Sequence, residues 1–168
     1  MPAPSLPTSL QDLIDRATIA DTVFAYATGI DRRDWALYRS IFADTVEFDF
    51  ETWSGVPASM IAADDWVASV RATLACFDAT AHVLTNPVIT LADNDATIVL
   101  HMTATHYLDG ETQVLGGYYT HRLLRQGSGW TIVGCRLVIT WEQGDRALFE
   151  RASRRGPRAR IDVGMEGS

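Results

Sequence analysis

The sequence has 168 residues, of which 47% are hydrophobic, a size and composition typical of one globular domain and not of a disordered chain. The net charge of −7 disfavours nucleic acid as a partner, because binding phosphates needs a basic surface. All 14 basic residues are arginine, which excludes catalysis by a lysine base or a lysine Schiff base.

No apolar run reaches the length of a membrane span, and the first seven residues lack the basic and apolar regions of a secretion signal. We therefore expect a cytoplasmic protein without membrane contact. One domain is predicted over residues 9–152, with flexible ends at 1–8 and 153–168. Five arginines near the C-terminus are interpreted as a solvated tail, the alternative being an anion-binding one: Arg151, Arg154, Arg155, Arg158 and Arg160.

Apolar residues recur at three- and four-residue steps from Leu13 to Ile30, which predicts an amphipathic first helix. Ser9 is its predicted N-cap, and Gly29 marks its predicted end. A second short helix is predicted to start at Asp34 and to carry side chains as far as Phe42 to the core. A third helix is predicted over residues 61–77, and a last short one over residues 145–152.

Residues 46–50 alternate strictly between apolar and polar, which predicts a half-buried strand with Val46, Phe48 and Phe50 on one face. Four further strands are predicted over residues 82–91, 97–108, 112–125 and 130–141, separated by turn residues such as Asp109-Gly110. Helices followed by a run of antiparallel strands predict an α+β fold.

Side chains alternate between the two faces of a strand, which allows the histidines to be sorted. His106 continues the apolar face of its strand and is predicted to face a cavity, whereas His101 lies on the opposite face. Two further sets of residues are each predicted to share one face: Leu115, Gly117, Tyr119 and His121, and Cys135, Leu137, Ile139 and Trp141.

The residues best suited to a catalytic role are Asp31, at the end of the first helix, and His82, at the start of the strand-rich half. Each alone has an ordinary structural explanation, a turn cap for the aspartate and a satisfied histidine at a strand start. Together they predict a general base, because a carboxylate fixes the tautomer of an imidazole and stabilises its protonated form.

Phosphate-binding loops, serine-hydrolase elbows and zinc-protease motifs are absent from the sequence. Cys76 and Cys135 lack metal-ligand spacing and are expected to be buried thiols, so neither metal nor cofactor is expected.

Several segments resemble SnoaL-like proteins of the nuclear-transport-factor-2-like superfamily. They are residues 15–44 with Gly29-Ile30-Asp31-Arg32-Arg33-Asp34-Trp35, then His82 with Asn86-Pro87, Gly116-Gly117-Tyr118-Tyr119-Thr120, and Gly129-Trp130. The resemblance covers about residues 9–150. It implies a cone-shaped α+β barrel in which helices pack on a curved mixed, mainly antiparallel sheet around an apolar pocket. It also implies a homo-oligomer, a dimer or trimer, with contacts near the His101, Thr103 and Thr105 side of the sheet.

Two enzyme types of this superfamily, scytalone dehydratase and hexachlorocyclohexane dehydrochlorinase, use an Asp–His dyad for elimination, and the dyad positions match Asp31 and His82. Where the dehydratase has two tyrosines this sequence has Ile30 and Phe50, and its pocket asparagine is replaced by Tyr119. The resemblance therefore does not extend to scytalone as the substrate.

We expect a cofactor-independent lyase or isomerase, similar to a dehydratase or a cyclase, acting on a small apolar molecule that is cyclic or polyketide-like. His82 is the predicted base, Asp31 orients it, and Tyr119 and His106 are predicted hydrogen-bond donors to an oxyanion or leaving group. The alternatives are a non-catalytic ligand-binding or accessory subunit, such as a dioxygenase small subunit, and a cyclase or epoxide hydrolase using the same cavity. The predicted lining of the cavity is Phe50, Trp53, Leu100, Met102, Leu137 and Ile139.

Overall fold

A computed structural model describes residue 7 and residues 9–157. Arg158 and Arg160 of the predicted arginine tail lie outside these residues, as do most of the predicted flexible ends. The elements are α1 (Leu10–Asp31), α2 (Trp35–Ser40), β1 (Phe42–Asp49), α3 (Glu51–Ser54), β2 (Ser59–Ala62), α4 (Ala63–Leu74), β3 (Ala79–Ala92), β4 (Asp95–Leu108), β5 (Glu111–Gln126), β6 (Gly129–Gln143) and α5 (Leu148–Arg155).

The first helix begins at its predicted cap, where the Ser9 hydroxyl accepts a hydrogen bond of 3.1 Å from the backbone N–H of Asp12. The helix continues past Gly29 and ends at Asp31. Gly29 has a different role from the predicted one, since a Cβ at this position would lie 2.8 Å from the Cβ of Tyr38. The glycine therefore lets α1 pack closely against α2, and this packing helps to place the end of α1.

The six strands form one open sheet in the order β2-β1-β6-β5-β4-β3. Strands β3 to β6 pair antiparallel with their sequence neighbours, and β1 pairs parallel with β6. The predicted α+β fold with a mixed, mainly antiparallel sheet is confirmed. Strand β2 and helix α3 were not predicted, because four residues are too few to show a period. Strand β1 begins at Phe42, which the sequence analysis had assigned to the second helix.

The hairpin between β4 and β5 turns at Asp109-Gly110, as predicted. Both residues have positive φ angles, 51° and 85°, the conformation that two-residue hairpins require and that an Asp-Gly pair readily adopts. The tight turn pairs Leu108 with Glu111 and, two steps further along the strands, His106 with Gln113. A local turn thus fixes which side chains meet across the inner face of the sheet.

A bulge in β6 changes the facing of Trp141. Gly116 pairs with Trp141 and Gly117 with Ile139, so Thr140 is skipped in the register with β5, although its hydroxyl donates to the backbone oxygen of Gly116 at 3.2 Å. The two glycines make room for the bulge, because a Cβ at Gly117 would lie 1.9 Å from the backbone oxygen of Val138. Trp141 consequently lies on the outer face, 48% exposed. The predicted common face for Leu137 and Trp141 is wrong, since a bulge reverses the alternation of side chains.

The main hydrophobic core lies between the inner face of the sheet and helices α1, α2 and α4. A smaller cluster of buried side chains packs beneath α5: Cys76, Phe77, Leu108, Leu148 and Ala152. Both cysteines are free and buried, as predicted. Within the described residues, no helix is long and apolar enough to cross a membrane.

Helix α5 extends to Arg155, beyond the predicted end at residue 152. The Arg155 guanidinium forms ion pairs with Asp109, at 2.6 Å, and with Asp78. Arg155 therefore links the end of α5 to the β4–β5 turn through ion pairs. The prediction that this arginine belongs to a solvated tail is wrong.

Candidate active site

The end of α1 is held against the segment that precedes β3, and this places Asp31. Arg33, two residues after the helix, has a positive φ of 55° and is buried. Its Nη2 donates hydrogen bonds to the backbone oxygens of Phe77, at 2.6 Å, and Asp78, at 3.2 Å. Asp31 is thereby brought to the first residues of β3.

Asp31 and His82 form a direct hydrogen bond. The Nδ1 atom of His82 lies 2.7 Å from Oδ1 of Asp31, and the backbone N–H of His82 donates to Oδ2 at 2.7 Å. The Thr80 hydroxyl also donates to Oδ1, at 2.8 Å. Because an ionised carboxylate only accepts, Nδ1 is the donor, and in the neutral ring Nε2 of His82 is then the acceptor nitrogen. A distance of 2.7 Å lies within the roughly 2.6–3.2 Å of a direct hydrogen bond, the reach that a base and the carboxylate orienting it require.

Thr80 was missed by the sequence analysis, although a signal was present. It precedes His82 by two residues and therefore lies on the same face of β3. Thr80 pairs with His106 of the adjacent strand β4, and His82 pairs with Ala104 of the same strand. The small side chain of Ala104 leaves space beside the imidazole of His82.

His106 is buried on the inner face and His101 is exposed on the outer face, as strand alternation predicts. The ring centre of His106 lies 5.9 Å from that of His82, with the two rings nearly perpendicular. Burial, together with the nearby His82, lowers the pKa of His106 to about 4. His106 is therefore a neutral imidazole at neutral pH.

These side chains border a cavity of about 330 Å³, near the lower limit of the usual range for small-ligand sites. Of the predicted residues, seven line it: Phe50, Trp53, His82, Met102, His106, Tyr119 and Leu137. Asp31 stands behind His82, outside the lining. Leu100 and Ile139 do not line the cavity but pack in or against the main core. Alternation along a strand identifies the face of a side chain, but the depth of the cavity decides whether that side chain reaches it.

Helices α1, α4 and α5 and strand β1 contribute lining residues that the sequence analysis missed, among them Tyr26, Ile30, Phe48, Trp66 and Phe149. A signal for Tyr26 was available, since it continues the buried face of α1 that contains Val23 and Ile30. The positions of Trp66 and Phe149 depend on how α4 and α5 pack, which no local pattern reveals.

Packed aromatic side chains form one wall of the cavity and its backing. Nε1 of Trp66 donates to the hydroxyl of Tyr38 at 2.9 Å, and the ring of Tyr26 packs against those of Tyr38 and Tyr119, with ring centres 5.0 and 5.3 Å away. Burial raises the pKa of Tyr119 and of Tyr26. Both phenols therefore stay protonated and can donate a hydrogen bond to a bound ligand.

The lining as described includes no arginine, aspartate or glutamate. Within the described part of the chain, no group of three or more histidine, cysteine, aspartate or glutamate side chains could hold a metal ion. A charged ligand would lose its hydration here without gaining a partner of opposite charge. The cavity therefore suits a neutral, mainly apolar molecule.

Residues 11–136, three quarters of the sequence, match the SnoaL-like domain family. The chain belongs to this family. The resemblance inferred from the sequence is thereby confirmed. None of the curated proteins matches the chain significantly.

Solved structures share the SnoaL-like fold over most of their length. The protein Kfla4162 from Kribbella flavida is 29% identical, with 83% of this chain and 97% of that chain covered and a TM-score of 0.74. A protein from Novosphingobium aromaticivorans, provisionally described as a scytalone dehydratase, is 16% identical over 94% and 98%, with a TM-score of 0.71. A type 2 hexachlorocyclohexane dehydrochlorinase is 18% identical over 81% and 92%, with a TM-score of 0.68. The last two identities show a shared fold alone, so the reaction has to be argued from the cavity.

Proposed function

We propose that this SnoaL-like protein is a cofactor-independent lyase or isomerase, dehydratase- or cyclase-like, in which His82 removes a proton from carbon of a small apolar, cyclic substrate. The observation that carries the proposal is the hydrogen bond between His82 and Asp31 beside an apolar cavity. Two of its structural neighbours are described as a scytalone dehydratase and a dehydrochlorinase, and both descriptions are of eliminations.

The arrangement supports proton transfer in both directions. Nε2 of His82 takes the proton as the C–H bond breaks, and Asp31 stabilises the imidazolium that results. In an elimination, the electron pair of the C–H bond forms the C=C bond while the bond to the leaving group breaks. A leaving hydroxyl can then receive the same proton from His82 and depart as water, so atoms and charge balance. In an isomerisation, the proton returns to a different carbon.

Tyr119 is the proposed hydrogen-bond donor to the oxygen on which negative charge develops. Tyr119 lines the cavity, and burial raises its pKa, so its hydroxyl stays protonated. Donors in a water-poor site stabilise such charge strongly. Ile30 and Phe50 also line the cavity. They stand where scytalone dehydratase has two tyrosines, so a substrate less polar than scytalone fits the proposal better.

The proposal can be tested without the natural substrate, because proton removal from carbon exchanges hydrogen for deuterium in D₂O. We suggest 2-tetralone, a small cyclic ketone with acidic C–H bonds, followed by proton NMR. The wild-type protein should accelerate exchange, and His82→Ala should lower the catalysed rate by about 10²–10⁴-fold, the usual contribution of a general base. The matched control is His101→Ala, which removes an exposed histidine from the outer face of the same sheet.

Exchange at the wild-type rate in folded His82→Ala would exclude His82 as the base. If the wild-type protein binds 2-tetralone and a panel of related cyclic ketones without catalysing exchange, the ligand-binding subunit becomes the better interpretation.

A further inference from the structure

Gln113 is a fully buried polar side chain whose hydrogen-bond partner, among the described residues, is His106. It lies on β5 directly opposite His106, and its Oε1 is 3.1 Å from Nδ1 of the imidazole. Its amide nitrogen is buried without a hydrogen-bond partner among the described residues. An unpaired buried amide N–H lowers the stability of the fold, so stabilising the fold does not explain why a glutamine occupies this position.

The contacts with Gln113 determine which nitrogen of His106 carries the proton. The amide oxygen of Gln113 faces the ring and accepts a hydrogen bond from Nδ1, at 3.1 Å. A neutral imidazole has a single N–H group, and here that group points to Gln113.

The other ring nitrogen of His106 is therefore unprotonated. His106 lines the cavity, and Nε2 has no hydrogen-bond partner among the described residues. In the neutral ring of His82, Nε2 is likewise the acceptor nitrogen, because Nδ1 donates to Asp31. Two acceptor nitrogens thus border one end of the cavity, on rings whose centres are 5.9 Å apart.

We propose that Gln113 is a positioning residue that fixes His106 as a hydrogen-bond acceptor, and that the cavity consequently selects neutral ligands with a hydroxyl group at the His106 end. This revises the expectation from sequence that His106 donates a hydrogen bond. The inference rests on the proposed function only in taking this cavity as the ligand site, and it does not require His82 to act as a base.

The tautomer can be measured directly by long-range ¹H–¹⁵N NMR of the labelled protein, with His106→Asn used to assign the signals. We expect Nδ1 of His106 to show the shift of a protonated nitrogen and Nε2 that of a bare one at neutral pH. The reverse pattern in the wild-type protein would overturn the proposal; the shifts themselves are read from the wild-type protein, and the variant serves only to assign them.

Two variants test whether Gln113 is responsible. Gln113→Glu should raise the pKa of His106 by about 1–3 units, because a carboxylate next to the ring stabilises the imidazolium. Gln113→Leu should leave both tautomers populated, since the acceptor side chain is removed. The control is Gln126→Glu, the same substitution at an exposed position, which should not alter His106. An unchanged His106 titration in folded Gln113→Glu would contradict the positioning role.

The ligand class is tested with 2-naphthol and 2-fluoronaphthalene, which differ in a single hydrogen-bond donor. By calorimetry the wild-type protein should bind 2-naphthol about two- to tenfold more tightly, the usual effect of one hydrogen bond. Gln113→Leu should lose most of this preference. Equal wild-type affinities would overturn the selection of hydroxyl-bearing ligands. If the protein does not catalyse deuterium exchange but shows the expected tautomer and the preference for 2-naphthol, the proposed reaction is wrong and this inference still holds.

Discussion

The inner and outer faces of the sheet are formed by the same strands, yet they place histidine in opposite environments. His82, His106 and His121 point inward, and the side chain of His82 is only 5% exposed. His101 points outward into solvent. Side chains on the inner face lose their hydration, and the three histidines there differ in the hydrogen-bond partners that replace water.

Partners distinguish the three inner histidines. His82 is bonded to a carboxylate and His106 to an amide, whereas neither ring nitrogen of His121 has a partner among the described residues. Burial lowers the pKa of His121 to about 3. Burial alone therefore leaves His121 as a neutral imidazole, whereas His82, the proposed base, has a carboxylate beside its ring. The predictions below test this contrast, from the largest expected effect to the smallest.

The largest effect is expected from Asp31→Asn, which keeps the size of the partner and removes its charge. The amide can donate to Nδ1 and so hold the wrong tautomer of His82, and it cannot balance an imidazolium. Deuterium exchange into 2-tetralone should fall by about 10²–10⁴-fold. Asp64→Asn, at an exposed aspartate paired with Arg39, is the control and should retain the wild-type rate. A loss below about tenfold would show that Asp31 is mainly structural.

The second prediction concerns stability in acid. The folded-state pKa values of His106 and His121 are about 4 and about 3, below the value of about 6.5 expected in the unfolded chain. The unfolded state therefore binds protons first as the pH falls, so stability is lost below about pH 6.5. As the pH falls from about 6.5 to about 4, each buried histidine lowers the free energy of unfolding by at most about 3 kcal/mol.

Urea unfolding at several pH values measures this loss. His121→Leu should reduce the acid dependence by roughly half, and at neutral pH it should be neutral or stabilising by about 1 kcal/mol, because it removes unpaired buried polar atoms. The control His101→Leu should leave the acid dependence unchanged. If His121→Leu retains the full wild-type acid dependence, His121 is not a buried neutral imidazole.

The outer face yields the smallest predicted effect. We propose that it carries the contact of a homo-oligomer, a dimer or trimer, because large apolar side chains are exposed there, including Val83, Tyr107, Tyr118 and Trp141. Light scattering at micromolar concentration should give a multiple of 18.5 kDa. Tyr118→Glu should weaken association by about 1–2 kcal/mol. Leu13→Glu, on the exposed side of α1, is the matched control. A monomer mass for the wild-type protein would refute the proposal.

The sequence alone determined much of the fold, because the relevant signals are local. Ser9 begins α1 through a side-chain cap, Asp109-Gly110 forms a hairpin through its backbone preference, and His106 and His101 separate by strand alternation. The pairing of His106 with Gln113 also follows from that hairpin once its register is counted. Each of these features depends on residues that are close together in the sequence.

The tertiary structure decided what the local signals could not. The bulge opposite Gly116-Gly117 turned Trp141 outward, and the depth of the cavity left Leu100 in the core. The hydrogen bond between Asp31 and His82 joins residues 51 positions apart, and the sequence analysis predicted the pair from the chemistry of the two side chains and from the family resemblance, not from a local spacing pattern. Its geometry depends on how the end of α1 docks against β3, which results from packing over the whole domain.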